Sequence, residues 1–196
     1  MKARYPVIVI LILSVLLLCL AGCGSTAEEN IPEPSETELQ ASAEDSGTLT
    51  DFAAETLDGA EFSPETLAAA DLTVLNIWQT TCPPCIREMP ELAELEKELP
   101  ERVRFVTWCL DGAYAEEETR SILTDAGFEG TTIIAADGDL MTFLQTVQYT
   151  PTTVFIDSEG NLIGEPVIGA SQRPKVMYTQ KINEMLSALG KQELTA

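Results

Sequence analysis

The chain has 196 residues, with 11 Lys and Arg against 32 Asp and Glu and no His, so its formal net charge is −21. This acidity argues against nucleic acid as a partner and against electrostatic docking on anionic lipid, because both need a basic surface. The lack of histidine excludes Ser-His-Asp and Cys-His catalysis and the usual zinc-hydrolase ligand sets.

Residues 1–22 carry the pattern of a secretory signal peptide. Lys2 and Arg4 precede an apolar run over 7–20, which is followed by Ala-Gly-Cys. A basic start, an apolar middle and small residues before a cleavage site are typical of such signals. The ending resembles a bacterial lipobox, in which Cys23 is lipidated and becomes the first residue of the mature chain. The alternative is an uncleaved anchor, but the run is shorter than the roughly 20 apolar residues that a spanning helix needs.

Residues 23–48 are predicted to be the lipidated Cys23 and a disordered tether. Ser, Glu, Pro, Ala and Thr dominate this stretch, and it shows no apolar periodicity. Such a composition cannot bury enough apolar surface to fold. Acyl chains on Cys23 would hold the protein at the extracytoplasmic face of the bacterial cell membrane, so the protein surface itself need not bind lipid.

Residues 49–190 are predicted to form one folded domain, and 191–196 a C-terminal tail. Strands are expected at 49–57 and 60–62 (a hairpin), 72–78, 103–110, 132–136, 152–157 and 161–164. Helices are expected to start at Ser63-Pro64, to cover 82–99, 115–126 and 140–148, and to start again with Ser171 or Gln172 as the cap. Strands that alternate with helices indicate βαβ units, and the late strand pair indicates an antiparallel edge, so the class is α/β.

The sequence Cys82-Pro-Pro-Cys85 follows directly on a buried strand and opens a helix. The unpaired N–H groups and the dipole at a helix N-terminus favour a negatively charged sulfur. Cys82 is therefore predicted to be the partly exposed nucleophile with a low pKa. Cys85 lies one turn later, so it can pair with Cys82 and resolve a mixed disulfide.

Other interpretations of this motif fit less well. A metal site would need at least two further ligands, but Cys109 is the one other thiol of the mature domain and the chain has no His. No metal is therefore expected. A purely structural disulfide would close a tiny loop and constrain little. A peroxidase would need a pocket around one cysteine, for which Thr81 and Arg87 are the nearby candidates. Cys109 itself, on a predicted strand, is read as a buried inert thiol or, alternatively, as a third redox thiol.

Two stretches resemble the TlpA/ResA-like family of membrane-tethered thioredoxin-fold oxidoreductases. They are 75–90, which reads LNIWQTTCPPCIREMP, and 149–157, which reads YTPTTVFID. The resemblance covers about 50–189. It implies a thioredoxin-like fold: a central mixed sheet with helices on both faces, an N-terminal hairpin and a family insertion around 103–135.

The resemblance also implies further site residues. The family proline that matches Pro151 is cis and packs against the active-site disulfide, and the backbone of Thr150 would pair with a substrate segment. Glu88 matches a family acid near the active site and could accept the proton that Cys85 must lose; the alternative is a solvated helix carboxylate. Trp78 is a candidate for substrate binding or, more simply, a core residue. Thr81 stands where the family usually has Trp. The resemblance therefore implies nothing about the surface that contacts a partner or about the reduction potential.

These observations lead us to expect an extracytoplasmic, lipid-anchored thiol–disulfide oxidoreductase without a cofactor. The Pro-Pro dipeptide lacks the His that stabilises the thiolate of strongly oxidising enzymes, so a reductive direction is favoured. By the family resemblance, the partners are exported proteins that contain cysteine and a membrane thiol-electron donor of the CcdA/DsbD type. The alternative is a non-catalytic binding or chaperone-like lipoprotein on the same fold.

Overall fold

The computed structural model of the protein describes residues 47–195. Cys23, the signal peptide and most of the tether predicted above lie outside the described residues. The strands are β1 Ala54–Thr56, β2 Glu61–Phe62, β3 Leu72–Trp78, β4 Val103–Cys109, β5 Thr132–Ala136, β6 Thr152–Asp157 and β7 Leu162–Ile168. The helices are α1 Pro64–Ala68, α2 Pro83–Glu98, α3 Glu116–Ala126, α4 Gly138–Leu144 and α5 Pro174–Ala188. Over 47–195, no helix is long and apolar enough to cross a membrane.

The seven strands form one mixed sheet in the order β2-β1-β5-β4-β3-β6-β7. The three inner strands β3, β4 and β5 are parallel, whereas β6 and β7 are antiparallel to the strands beside them. Helices α2, α3 and α5 pack on one face of the sheet, and α1 and α4 pack on the other. The predicted α/β class, with helices on both faces and an N-terminal hairpin, is confirmed.

The strand before the cysteines is the most deeply buried part of the sheet. All seven residues of β3 are buried, as the nearly continuous apolar run 72–78 predicted for a strand covered on both faces. The next element, α2, buries Met89, Leu92 and Leu95 against the same core. Strand β3 therefore fixes the position of the chain where α2 begins.

Some boundaries differ from the prediction for local reasons. Helix α2 begins at Pro83 and not at Cys82, because proline suits the first helical position and Cys82 takes the extended N-cap conformation. Helix α4 spans Gly138–Leu144 and not 140–148, because Asp137 is its N-cap and the chain turns after Gln145. The cap of α5 is Arg173 and not Ser171 or Gln172.

The two edge strands also differ from the prediction. Strand β1 is limited to Ala54–Thr56, while Leu49 instead donates a backbone hydrogen bond to Gly160. Strand β7 continues past the predicted end at Gly164, and Ile168 pairs with Thr152. It can contain a proline at 166 because an edge strand need not donate every ladder hydrogen bond.

Candidate active site

A disulfide joins Cys82 and Cys85 across the first turn of α2, and their Cα atoms are 5.3 Å apart. Cys82 is the N-cap residue, and the backbone N–H of Cys85 donates to its Sγ at 3.3 Å. The exposed fraction is 7% for Cys82 and 1% for Cys85. The pairing predicted from the motif is confirmed. The predicted partial exposure of Cys82 is wrong, because both cysteines are buried in the core, although Cys82 at the helix end is the less buried of the two.

The Thr150–Pro151 segment faces the first cysteine. Its peptide bond is cis, and the carbonyl oxygen of Thr150 lies 3.6 Å from Cys82 Sγ. The carbonyl oxygen of Pro151 accepts from the backbone N–H of Gly169 at 2.8 Å, which ties this loop to the end of β7. The structure thus brings together the cysteines and the loop that the family resemblance assigned to them.

Asp111, which the sequence analysis did not single out, anchors the loop that carries Cys82. Its carboxylate accepts from the backbone N–H of Thr80 at 3.0 Å and from the Thr80 hydroxyl at 2.5 Å. Burial acts to raise the pKa of Asp111, but the hydrogen bonds from Thr80 outweigh it and the pKa is lowered. The sequence did contain a signal for this contact: Asp111 follows β4 directly, and β4 is parallel to β3, so both strands end at the same edge of the sheet.

Glu88 is a buried carboxylate and not the solvated one that the sequence left open. Its exposed fraction is 3%, and it lies one turn after Cys85 on the same helix. The backbone N–H of Ser171 donates to Oε2 at 3.2 Å, and Asn76 Nδ2 lies 3.5 Å from Oε1. Burial raises the pKa of Glu88 to about 7, although these two contacts lower it. A carboxyl with such a pKa can accept or release a proton near neutral pH.

Two residues take core positions. Trp78, a candidate for substrate binding, has no exposed surface, so this assignment is corrected: a side chain enclosed by α2 and the sheet does not reach a substrate. Cys109 is a buried free thiol that pairs with Trp78 in the register of β3 and β4. Burial raises the pKa of Cys109 to about 12. Such a thiol stays protonated at neutral pH, as expected for an inert core cysteine.

The surface beside the Pro151 loop carries exposed side chains and an apolar groove, which the two cysteines themselves do not line. Thr81 and Arg87 are both exposed, so neither encloses a pocket around a single sulfur. Tyr149 and Ile168, beside the Pro151 loop, are 64% and 63% exposed. They border a groove of about 720 Å³ over β6 and β7. Other apolar residues that line this groove are Leu49, Phe143, Val147, Val154, Leu162, Ile163 and Pro166.

A mixed sheet, a CxxC disulfide at a helix N-terminus and an opposed cis-proline together define a thioredoxin-like protein. Residues 47–164 match the model of the AhpC/TSA family, and the chain belongs to this family. The structure also superposes on solved disulfide oxidoreductases, and the predicted thioredoxin-like fold is confirmed. The family and its structural neighbours support an oxidoreductase activity.

Three similar proteins illustrate this relationship. The thioredoxin-like protein YneN of Bacillus subtilis (strain 168) is 30% identical over 110 residues, which are 56% of this chain and 64% of that protein. The match therefore spans slightly less than two thirds of this relative. The structure of MTB DsbF is 26% identical, with a TM-score of 0.54 over 72% of this chain and 96% of that one. A secreted Mycobacterium tuberculosis disulfide oxidoreductase, homologous to E. coli DsbE, is also 26% identical, with a TM-score of 0.51 over 66% and 96%.

Proposed function

We propose that the protein is an extracytoplasmic, membrane-tethered thiol–disulfide oxidoreductase of the TlpA/ResA-like type, which reduces disulfides in exported proteins. The observation that carries the proposal is the geometry of the sulfur pair. Cys82 lies at the helix end, is the less buried of the two cysteines and faces the Thr150 carbonyl, whereas Cys85 is almost completely buried and bonded to it. An attacking cysteine that lies nearer the surface than its resolving partner suits disulfide exchange.

The reaction begins from the reduced dithiol. The Cys82 thiolate attacks one sulfur of a substrate disulfide, which forms a mixed disulfide and releases the other substrate sulfur as a thiolate. Cys85 then loses its proton to Glu88 and attacks Cys82 Sγ, which forms the Cys82–Cys85 disulfide and releases the second substrate sulfur. Two electrons pass from the dithiol to the substrate, and each released thiolate takes up a proton. A membrane donor of the CcdA/DsbD type would return two electrons to the disulfide.

The substrate side of the proposal rests on the loop opposite Cys82. The half-buried Thr150 presents its backbone beside the sulfur, and Pro151 is held in place by Gly169. Exposed Tyr149 and Ile168 extend this surface with apolar area. A cysteine in an extended or partly unfolded polypeptide suits such a surface, because backbone pairing and apolar contact tolerate many sequences.

The cellular location is proposed from the sequence pattern at 1–22 and from the lipobox-like Cys23. One structural neighbour at 26% identity is a secreted protein, which supports export. Mass spectrometry of the membrane-bound protein would test the lipid: acylation at Cys23 is expected, and an unmodified Cys23 in an intact chain would contradict the tether.

Insulin reduction by the purified protein tests the activity. We expect Cys82→Ser to abolish it and Cys109→Ser, a matched control on a buried thiol, to retain it. Equal rates for the wild type and Cys82→Ser would overturn the enzymatic proposal and favour a binding module. A Cys85→Ala variant should accumulate mixed disulfides, which would identify the substrate. A reduction potential near the roughly −120 mV of a strong oxidant would reverse the proposed direction.

A further inference from the structure

Four buried polar side chains form a continuous row that ends at Glu88. Asn76 Nδ2 lies 3.5 Å from Glu88 Oε1 and also donates to Thr153 Oγ1 at 2.9 Å. Thr153 Oγ1 shares a hydrogen bond of 2.7 Å with the Tyr178 hydroxyl. None of these side chains is more than 3% exposed. The row therefore joins α2, β3, β6 and α5 inside the domain, and it ends on the helix that begins with the two cysteines.

The orientation of the Asn76 amide is the informative feature. Its nitrogen faces both Thr153 and Glu88, whereas its oxygen Oδ1 is buried without a partner among the described residues. A buried carbonyl oxygen without a hydrogen bond is unfavourable. The opposite orientation would let Oδ1 accept the Thr153 hydroxyl, but it would set two acceptors, Oδ1 and Glu88 Oε1, against each other. In the orientation that the structure has, the amide nitrogen faces Glu88 Oε1, which is the arrangement that favours an ionised carboxylate.

Tyr178 provides one way to keep this orientation, since either hydroxyl can donate in the hydrogen bond between Thr153 and Tyr178. With Thr153 as the donor, its oxygen can only accept from Asn76. The amide nitrogen must then face Thr153, and its second hydrogen is directed to Glu88. The two side chains on β6 and α5 thus act on the carboxylate although neither is hydrogen-bonded to it.

We propose that Asn76, oriented by Thr153 and Tyr178, is a positioning residue that keeps buried Glu88 able to carry the negative charge needed to accept a proton from Cys85. This inference rests on the proposed function, since it concerns the step in which Cys85 loses its proton. In that step the Cys85 S–H bond breaks, a Glu88 O–H bond forms, and the charge moves from the carboxylate to the sulfur.

The other groups around Glu88 do not supply this stabilisation. The titratable group on a neighbouring element that acts on it is Tyr178 on α5, and a charged Tyr178 would repel Glu88. Cys85 lies one turn before Glu88 on the same helix. The ion pairs among residues 47–195 involve other carboxylates. Besides Asn76, the backbone N–H of Ser171 is the donor that reaches Glu88. Without Asn76, the effect of burial, which raises the pKa of Glu88, would be opposed by the Ser171 N–H alone among these groups.

The test is the titration of Glu88 in the full chain in its oxidised form, followed by carbon NMR of labelled glutamate and assigned with Glu88→Gln. Asn76→Leu should raise the Glu88 midpoint by about one pH unit, because a donor to the charged form is lost. Thr153→Val, which is nearly isosteric, should raise it by less and serves where Asn76→Leu does not fold. Thr73→Val is the matched control, since Thr73 is a buried hydroxyl on the same strand as Asn76 and has no hydrogen-bond partner among residues 47–195, and it should leave the Glu88 midpoint unchanged.

An unchanged Glu88 midpoint in folded Asn76→Leu and Thr153→Val would overturn the inference. A second arm measures the pH profile of insulin reduction. Asn76→Leu should shift the profile in the wild-type background and not in a Glu88→Gln background, whereas equal shifts in both would show that Asn76 does not act through Glu88. If the wild type does not reduce insulin at all, the proposed function fails, while the NMR titration still decides the role of Asn76.

Discussion

Replacing Glu88 by Gln should change the pH dependence of stability, because Glu88 is a carboxyl buried in the core. The pKa of Glu88 rises from its ordinary value of 4.5 to about 7 on folding, chiefly through burial. Below the lower value, both the folded and the unfolded chain hold the proton and no penalty arises. As the pH rises through this interval, the unfolded chain releases the proton first, so the folded state loses stability. Above the upper value the penalty is about 3 kcal/mol.

The variant Glu88→Gln cannot ionise, so it escapes this penalty at every pH. It loses part of the contact with Ser171 or Asn76, but that cost is the same at all pH values. The free energy of unfolding of Glu88→Gln, minus that of the wild type, should therefore increase by about 3 kcal/mol between about pH 4 and about pH 8. Urea denaturation of the oxidised proteins measures it, because the disulfide keeps the two thiols from titrating.

Glu101→Gln is the matched control, since Glu101 is exposed and its replacement removes a carboxyl group without relieving burial. A stability difference for Glu88→Gln that does not change with pH would refute the reasoning. It would mean that the carboxyl is solvated in the folded state, despite its exposed fraction of 3%.

Three further predictions concern the surroundings of the site. Asp111→Ala removes both hydrogen bonds that hold Thr80 and should lower the free energy of unfolding by about 1–3 kcal/mol in urea denaturation. Cys109, whose pKa is raised to about 12 by burial, should resist iodoacetamide in the native oxidised protein and react in guanidinium, as mass spectrometry can show. Leu92→Ala leaves a cavity in a fully buried position on α2 and should cost about 2–5 kcal/mol, also in urea.

Each of these outcomes has its own control. Replacement of Asp125, an exposed acid on α3, by Ala should change the free energy of unfolding little. An equally small change for Asp111→Ala would contradict the anchoring role of Asp111. Alkylation of native Cys109 at the rate of an exposed thiol would show that β4 opens locally. Replacement of Leu99, which is half-buried after α2, by Ala should lower the free energy of unfolding less than Leu92→Ala does. The reverse order would contradict the packing described for α2.

The parts of the fold with strong local signals could be predicted from the sequence. The apolar run of β3 and the Pro-Pro pair at the start of α2 each leave few alternatives for the backbone, and the disulfide across them follows from their spacing. Short elements were less predictable. Strand β7 could not be followed past Gly164, because its pairing with β6 and not its own sequence pattern decides where it ends.

The burial of Glu88 could not be predicted from the sequence, because contacts with distant elements decide it. Its position on α2 was evident, but its burial depends on Ser171, which is 83 positions away along the chain, and on Asn76 from β3. The role of Asp111 is likewise created by the meeting of two strand ends. Trp78 shows the opposite error. Its nearness to the cysteines in the sequence suggested that it contacts substrate, but its side chain is completely buried in the core.

The two outer strands of the sheet have a consequence for how copies of this protein coexist. Strand β2 has only two residues, and β7 carries Glu165 and Pro166 in its middle. The first margin is too short and the second is interrupted by a charge and a proline, and both features disfavour extension of one sheet by another. Pairing of these edge strands between neighbouring copies is therefore disfavoured.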